Sequence, residues 1–217
     1  MAPGYDRFNA IASLGLDKVW RKRLACDLLR AIPQGPVLDV GCGTGDLIFE
    51  CEQLDKNPQE RYIGADLSLP MLKEAQDKVV YPSLFIQADC TRLPLATSSI
   101  SAVMSAFVLR NIRRVLDKSL QEILRVLKPE GEAFLLEMTA PRSIGLKIPH
   151  WIYLKIALPL MGRTFFGANW PRGYLAQTIL KFWPPDEFTR ILLKAGFREV
   201  KYSILSGGLA VSYRCKK

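Results

Sequence analysis

The apolar run Val37-Leu38-Asp39-Val40 feeds straight into Gly41-Cys42-Gly43-Thr44-Gly45, and from Asp46 onward the pattern turns helical. A run this short and this apolar has the character of a strand buried on both faces, as in a parallel sheet. Glycines at alternate positions let the backbone turn tightly and let a ligand approach where a Cβ would otherwise stand. Strand, glycine loop and helix form the first unit, and the rhythm repeats. Strands are expected at 61–66, 83–88, 100–106 and 132–137, with helices at 17–31, 46–53, 68–79 and 119–127. Strict alternation of this kind builds a doubly wound α/β sheet of mostly parallel strands. A helix at 186–195 follows, then strands at 200–205 and 209–214 split by Gly207-Gly208, an antiparallel hairpin that makes the sheet seven-stranded.

Between 141 and 183 the rhythm fails. This stretch holds no acidic residue and gathers aromatics such as Trp151, Tyr153, Phe165, Trp170, Tyr174 and Trp183. It reads as an aromatic cap inserted into the α/β frame. Pro149 and Pro159 are expected to break helical continuity, and Lys147, Lys155 and Arg163 interrupt the apolar sequence every eight residues. No run approaches the roughly 20 apolar residues of a spanning helix.

The formal charge of +9 is just as uneven. Residues 1–140 hold 17 Lys and Arg against 18 Asp and Glu, whereas 141–217 hold 13 against 3. Such a bias suits an acidic partner, whether nucleic acid, an anionic membrane or an acidic substrate, or a solvated basic face. RNA-binding surfaces interleave stacking aromatics with Lys and Arg. Here the aromatics share their segment with long aliphatic stretches, so lipid is expected and nucleic acid is not.

At 217 residues the chain is a single domain. It divides into an N-terminal lid and helix (1–34), a binding core (35–140), a substrate cap (141–183) and a C-terminal helix and hairpin (184–217). Five cysteines (26, 42, 51, 90 and 215) form no C-x-x-C pair, and His150 is the single histidine. Neither a disulfide scaffold nor a metal site is expected, and a cytoplasmic location is. The polar opening Met-Ala-Pro-Gly-Tyr-Asp is read as no signal peptide. His150, between Pro149 and Trp151, reads as a packing or interfacial residue rather than a base.

The glycine loop is G-x-G-x-G rather than the G-x-G-x-x-G of dinucleotide enzymes, and Asp39 precedes it inside the strand. A carboxylate there is a poor neighbour for a pyrophosphate and a good one for a cationic head. Asp66, 21 residues beyond Gly45, can accept from both hydroxyls of a ribose, and Asp89 from the amino group of a base.

Asp39-x-Gly41-x-Gly43-Thr44-Gly45, Asp66 and Asp89 resemble the motifs of class I S-adenosylmethionine-dependent methyltransferases. Tyr5-Asp6-Arg7-Phe8-Asn9, Leu14-Gly15-Leu16 with Trp20-Arg21, Phe107-Val108-Leu109-Arg110-Asn111 and Leu158-Pro159-Leu160-Met161-Gly162 are similar to the menaquinone and ubiquinone C-methyltransferases within that class. The resemblance implies a Rossmann-like fold with S-adenosyl-L-methionine held by Asp39, Gly41, Gly43, Thr44, Gly45, Asp66, Asp89, Cys90 and, through its backbone, Ala106. It implies methylation of a ring carbon of a polyprenylated quinol, demethylmenaquinol first and a ubiquinol precursor second. Arg110 would hold a phenolate or orient a water, and Asn111 would donate to the other ring oxygen. Tyr5, Asp6, Trp151 and Tyr174 would face the substrate. An anionic membrane surface is the implied partner, reached peripherally from the inner face, and self-association stays open. Val108 stands where the family has glycine, Ala106 where many members have serine, Asp89-Cys90 for Asn-Ala, and Arg172-Gly173-Tyr174 for Tyr-Arg-Tyr. Two other readings remain: a methyltransferase of another phenolic metabolite or of RNA, and a non-catalytic homologue serving as a scaffold.

Overall fold

The computed structural model describes residues 10–31, 34–55, 58, 61–81, 83–141, 143–166 and 173–217. Its sheet contains β1 (Val37–Val40), β2 (Tyr62–Asp66), β3 (Leu84–Gln87), β4 (Ile100–Ala106), β5 (Leu127–Met138), β6 (Glu199–Leu205) and β7 (Ala210–Lys216). Their order is β3-β2-β1-β4-β5-β7-β6. The first five pair in parallel, and β7 runs antiparallel between β5 and β6.

All four residues of β1 are buried, so its alternating side chains feed two cores. Leu38 and Val40 join the layer under α4 (Leu116–Val126) and α8 (Pro185–Ala195), with Leu120, Ile123, Phe188 and Leu192. Val37 joins the opposite layer, where α1 (Leu16–Ala31) and α2 (Asp46–Leu54) supply Trp20, Leu24, Leu28 and Ile48. The helix α3 (Leu69–Lys78) links β2 to β3 and buries Leu72 and Ala75. Strand order reverses between β1 and β4, and in doubly wound sheets such a switch point opens a crevice at the strands' carboxyl ends.

Two elements depart from the expected bounds. β5 starts at Leu127 rather than at 132, because Leu127 already pairs with Ile100; residues 128–131 then bulge out, with Glu130 at φ 61, before the ladder resumes at Glu132 opposite Ala102. In the cap, α5 (Ile144–Ile152), a π turn (Tyr153–Ala157) and α6 (Leu158–Phe166) follow one another without a break despite Pro149 and Pro159. Proline removes a donor and crowds the preceding turn. Just before Pro159 the register widens to a π turn, where Leu158 N–H reaches back five residues to Tyr153 O. A further cap helix, α7 (Tyr174–Leu180), closes a small core of Leu154, Leu158, Ala176 and Ile179. Among the described residues no helix is long and apolar enough to cross a membrane.

Candidate active site

A cavity of about 610 Å³ sits at the switch point, floored by the β1–α2 loop and walled by α1, the turn after β4, the π turn and α7. Gly43 stands in its lining at φ +56, and a Cβ there would meet nothing within 4 Å, so bare backbone faces the space. Its N–H donates to Asp66 Oδ2 at 2.9 Å, and Ser68 N–H donates to Asp66 Oδ1 at 2.8 Å. Each carboxylate oxygen is thereby aimed while keeping a lone pair for a ligand hydroxyl.

Asp39 carries an unsatisfied carboxylate oxygen. Only 1% exposed, it leaves Oδ2 without a hydrogen-bond partner in the cavity wall. Burial, with Asp66 and Asp46 nearby and only Arg21 opposing, pushes its carboxyl up to about 8. A buried oxygen of this kind calls for a donor, and a cationic one suits it best. Around it, Arg21 of α1 pairs with Asp17 at 2.5 Å and Asp46 at 3.4 Å, while Lys78 of α3 reaches Asp46 at 2.7 Å and Thr44 Oγ1 at 3.1 Å. These contacts tie three helices to the glycine loop.

β4 ends in a strained turn. Phe107 has φ 64, unusual for an aromatic residue, and its carbonyl accepts from Arg110 Nη1 at 2.7 Å and Asn111 Nδ2 at 3.3 Å. The Arg110 guanidinium also pairs with Glu137 at 2.5 Å. Tyr174 donates its hydroxyl to Asn111 Oδ1 at 3.3 Å, which joins α7 to the turn. Tyr153 donates to Ala12 O, which joins the π turn to the segment before α1. Leu154, Leu158, Leu175 and Ile179 add apolar lining from the π turn, α6 and α7.

Of the residues expected at the site, Asp39, Gly41, Gly43, Thr44, Asp66, Ala106, Arg110, Asn111 and Tyr174 line this one cavity. Four others do not. Gly45 packs on α3, where a Cβ would stand 3.0 Å from that of Ala75. Asp89 is exposed and accepts from Thr91 N–H and Oγ1–H, both at 2.8 Å. Cys90 Sγ lies 3.2 Å from Ser119 Oγ, and Trp151 is 51% exposed on the outer side of the cap. Tyr5 and Asp6 lie outside the described residues. Asp17, Arg21, Asp46 and Glu137 were not anticipated. Glu137 left one local sign, an acidic residue closing the apolar run Ala133-Phe134-Leu135-Leu136.

A family model described as the ubiE/COQ5 methyltransferase family matches residues 1–217. The chain belongs to this family. Among curated relatives, the demethylmenaquinone methyltransferase of Bacteroides fragilis is 34% identical over 223 residues, 100% of this chain and 89% of the relative. The enzyme of that name from Roseiflexus castenholzii is 35% identical, covering 97% of this chain and 87% of its own. The ubiquinone/menaquinone biosynthesis C-methyltransferase UbiE of Geobacter sulfurreducens is 35% identical, covering 100% and 85%. A solved methyltransferase from Thermotoga maritima, described as a possible histamine N-methyltransferase, superposes with a TM-score of 0.67 at 18% identity over 99% of this chain and 95% of that one. The [4+2]-cyclase SpnF superposes with a TM-score of 0.64 at 18% identity over 90% and 80%. A fold shared with a cyclase does not by itself name a reaction.

This ubiE/COQ5 family member is thus an S-adenosyl-L-methionine-dependent methyltransferase with a mixed seven-stranded sheet. The residues present fit that cofactor: the orphaned Asp39 oxygen suits its ammonium, the pinned Asp66 carboxylate suits its ribose, and Gly43 leaves room for its backbone-facing side.

Proposed function

We propose that the enzyme methylates a ring carbon of a polyprenylated quinol, demethylmenaquinol first and a ubiquinol precursor second. The names of the relatives support this reading, and one observation carries it: Arg110, Asn111 and Tyr174, joined through the Phe107 carbonyl and the Tyr174–Asn111 hydrogen bond, line one cavity with the carboxylates Asp39 and Asp66 and with the apolar Leu154, Leu158, Leu175 and Ile179. The bound cofactor supplies an electrophilic methyl group on a sulfonium. Asp39 and Asp66 hold the cationic head and the ribose. Arg110 offers N–H donors to one ring oxygen, so that negative charge is stabilised as the phenolic proton leaves to a water that the guanidinium orients. Asn111 and Tyr174 orient the second oxygen. Leu154, Leu158, Leu175 and Ile179 exclude water from the ring and its tail.

In this reading 141–183 is a substrate cap and 1–34 a lid over 35–140, with 184–217 completing the sheet. The cap's outer side carries Ile148, Ile152, Ile156 and Leu160 at four-residue intervals, 45–66% exposed, beside exposed Lys147, Lys155 and Arg163. An apolar stripe rimmed by cations and free of carboxylates supports peripheral attachment to an anionic membrane that delivers the prenyl tail.

The test is methyl transfer from labelled cofactor to a reduced demethylnaphthoquinone and to a benzoquinol, each product identified by mass. Label on the ring carbon of the naphthoquinol is expected. Label on neither quinol, with transfer to an unrelated phenol, overturns the reading.

A further inference from the structure

Glu137, one residue before the end of β5, has no exposed surface. A carboxylate stripped of water is costly unless its oxygens are paired, and three hydrogen bonds pair this one. Arg110 supplies two of them, its backbone N–H to Oε2 at 3.0 Å and Nη1 to Oε1 at 2.5 Å. Met138 N–H supplies the third, to Oε1 at 2.9 Å. A single carboxylate therefore fixes both the backbone of the turn after β4 and the rotamer of its guanidinium. Arg110 is 6% exposed, lines the cavity and has an Nε–H with no partner.

Charge adds a second consequence. The methyl donor carries a sulfonium and an ammonium against one carboxylate, and so has a net positive charge. S-adenosyl-L-homocysteine, the demethylated product, has lost the sulfonium and is neutral. An unpaired guanidinium in the wall of a dry cavity would repel the donor and leave the product unaffected, because charges in a low-dielectric site act strongly on one another. A carboxylate in contact with that guanidinium converts a monopole felt across the cavity into a short-range dipole. The N–H donors remain, and the repulsion is removed.

We propose that Glu137 is a positioning residue that cancels the charge of Arg110, so that Arg110 hydrogen-bonds at the reacting end without opposing the cationic methyl donor. Asp39 and Asp66 favour the cation from their side of the cavity. Glu137 prevents Arg110 from undoing that preference. This role requires only the cofactor assigned above and holds for any methyl acceptor.

The experiment compares donor and product binding by tryptophan fluorescence, with Trp20 in the cavity lining as reporter. In Glu137→Gln, which keeps the shape and loses the charge, donor affinity should fall about tenfold further than product affinity. Glu137→Asp, which keeps the charge, should return the ratio to the wild-type value. Equal losses for both ligands in Glu137→Gln overturn the proposal, since a purely structural role weakens both alike. Where Glu137→Gln fails to fold, the double variant Arg110→Gln/Glu137→Gln removes both charges and leaves two amides to pair. It must bind donor and product in the wild-type ratio, and a donor-selective loss there overturns charge cancellation.

Discussion

The side chain of Val108 fills the space that a Cβ on Gly41 would need: such a Cβ would lie 2.5 Å from Val108 Cγ2. Gly41 also sits at φ +73, so a larger residue is strained there twice over. Gly41→Ala is expected to cost about 2 kcal/mol, the usual range for overpacking plus a left-handed backbone, and to weaken cofactor binding. Gly41→Ala/Val108→Gly should recover part of both losses. Denaturant midpoints and cofactor titrations on the two variants check this, and a double variant no better than the single one refutes the steric account.

Asp39 makes cofactor binding depend on pH. Its carboxyl, pushed up to about 8 by burial, holds a proton at neutral pH that the unfolded chain has released. Its contribution to the stability of the ligand-free protein is therefore fullest below the ordinary carboxylate range and is lost as pH rises towards about 8. A cationic ligand prefers the ionised form, so affinity should rise over the same interval and binding should release a proton. Calorimetric titrations in two buffers of different ionisation enthalpy measure that proton directly. Asp39→Asn should bind weakly at every pH and lose the slope.

Arg110 and Glu137 form a buried pair, so removing one partner strands the other. Arg110→Ala is expected to lower stability by about 3–5 kcal/mol as well as turnover. Arg110→Lys keeps the charge but not the planar fork that serves Glu137, the Phe107 carbonyl and a ligand together. Its turnover should drop by about tenfold or more while cofactor affinity stays within a few fold. Steady-state kinetics beside equilibrium binding separates these effects, and parallel losses in both would place Arg110 in the cofactor site.

The basic rim of the cap sets a further test. Lys147→Gln/Lys155→Gln/Arg163→Gln should weaken binding to phosphatidylglycerol vesicles by about 3 kcal/mol, at about 1 kcal/mol for each charge near an anionic surface. Binding to phosphatidylcholine vesicles and to cofactor should not change. Cosedimentation reads both lipids, and an unaltered affinity for the anionic vesicles would leave the rim a solvated face.

What was legible in the sequence was local. Val37 to Gly45 carries its strand, its turn and its ligand-facing backbone in nine consecutive residues, and the alternation of elements then orders the sheet. Glu137 escaped because its partner is 27 residues away, in the turn after a neighbouring strand, and nothing in an apolar run says which cation the carboxylate that follows it will meet. The cap helices escaped because proline rules weigh one missing donor against a regular helix, whereas the π turn at Tyr153–Ala157 offers a wider register that needs fewer. Asp89 followed strand logic, yet Thr91 draws its carboxylate into a tight local turn outside the main cavity.

β7 follows the other six strands in sequence yet lies inside the sheet, with Val211 opposite Glu137. Synthesis order and pairing order therefore disagree. As the polypeptide emerges, β5 presents an unpaired edge and a half-covered carboxylate until the final strand arrives, so the cofactor cavity is completed only after translation has passed the whole cap. Until then the exposed edge of β5 is open to mispairing.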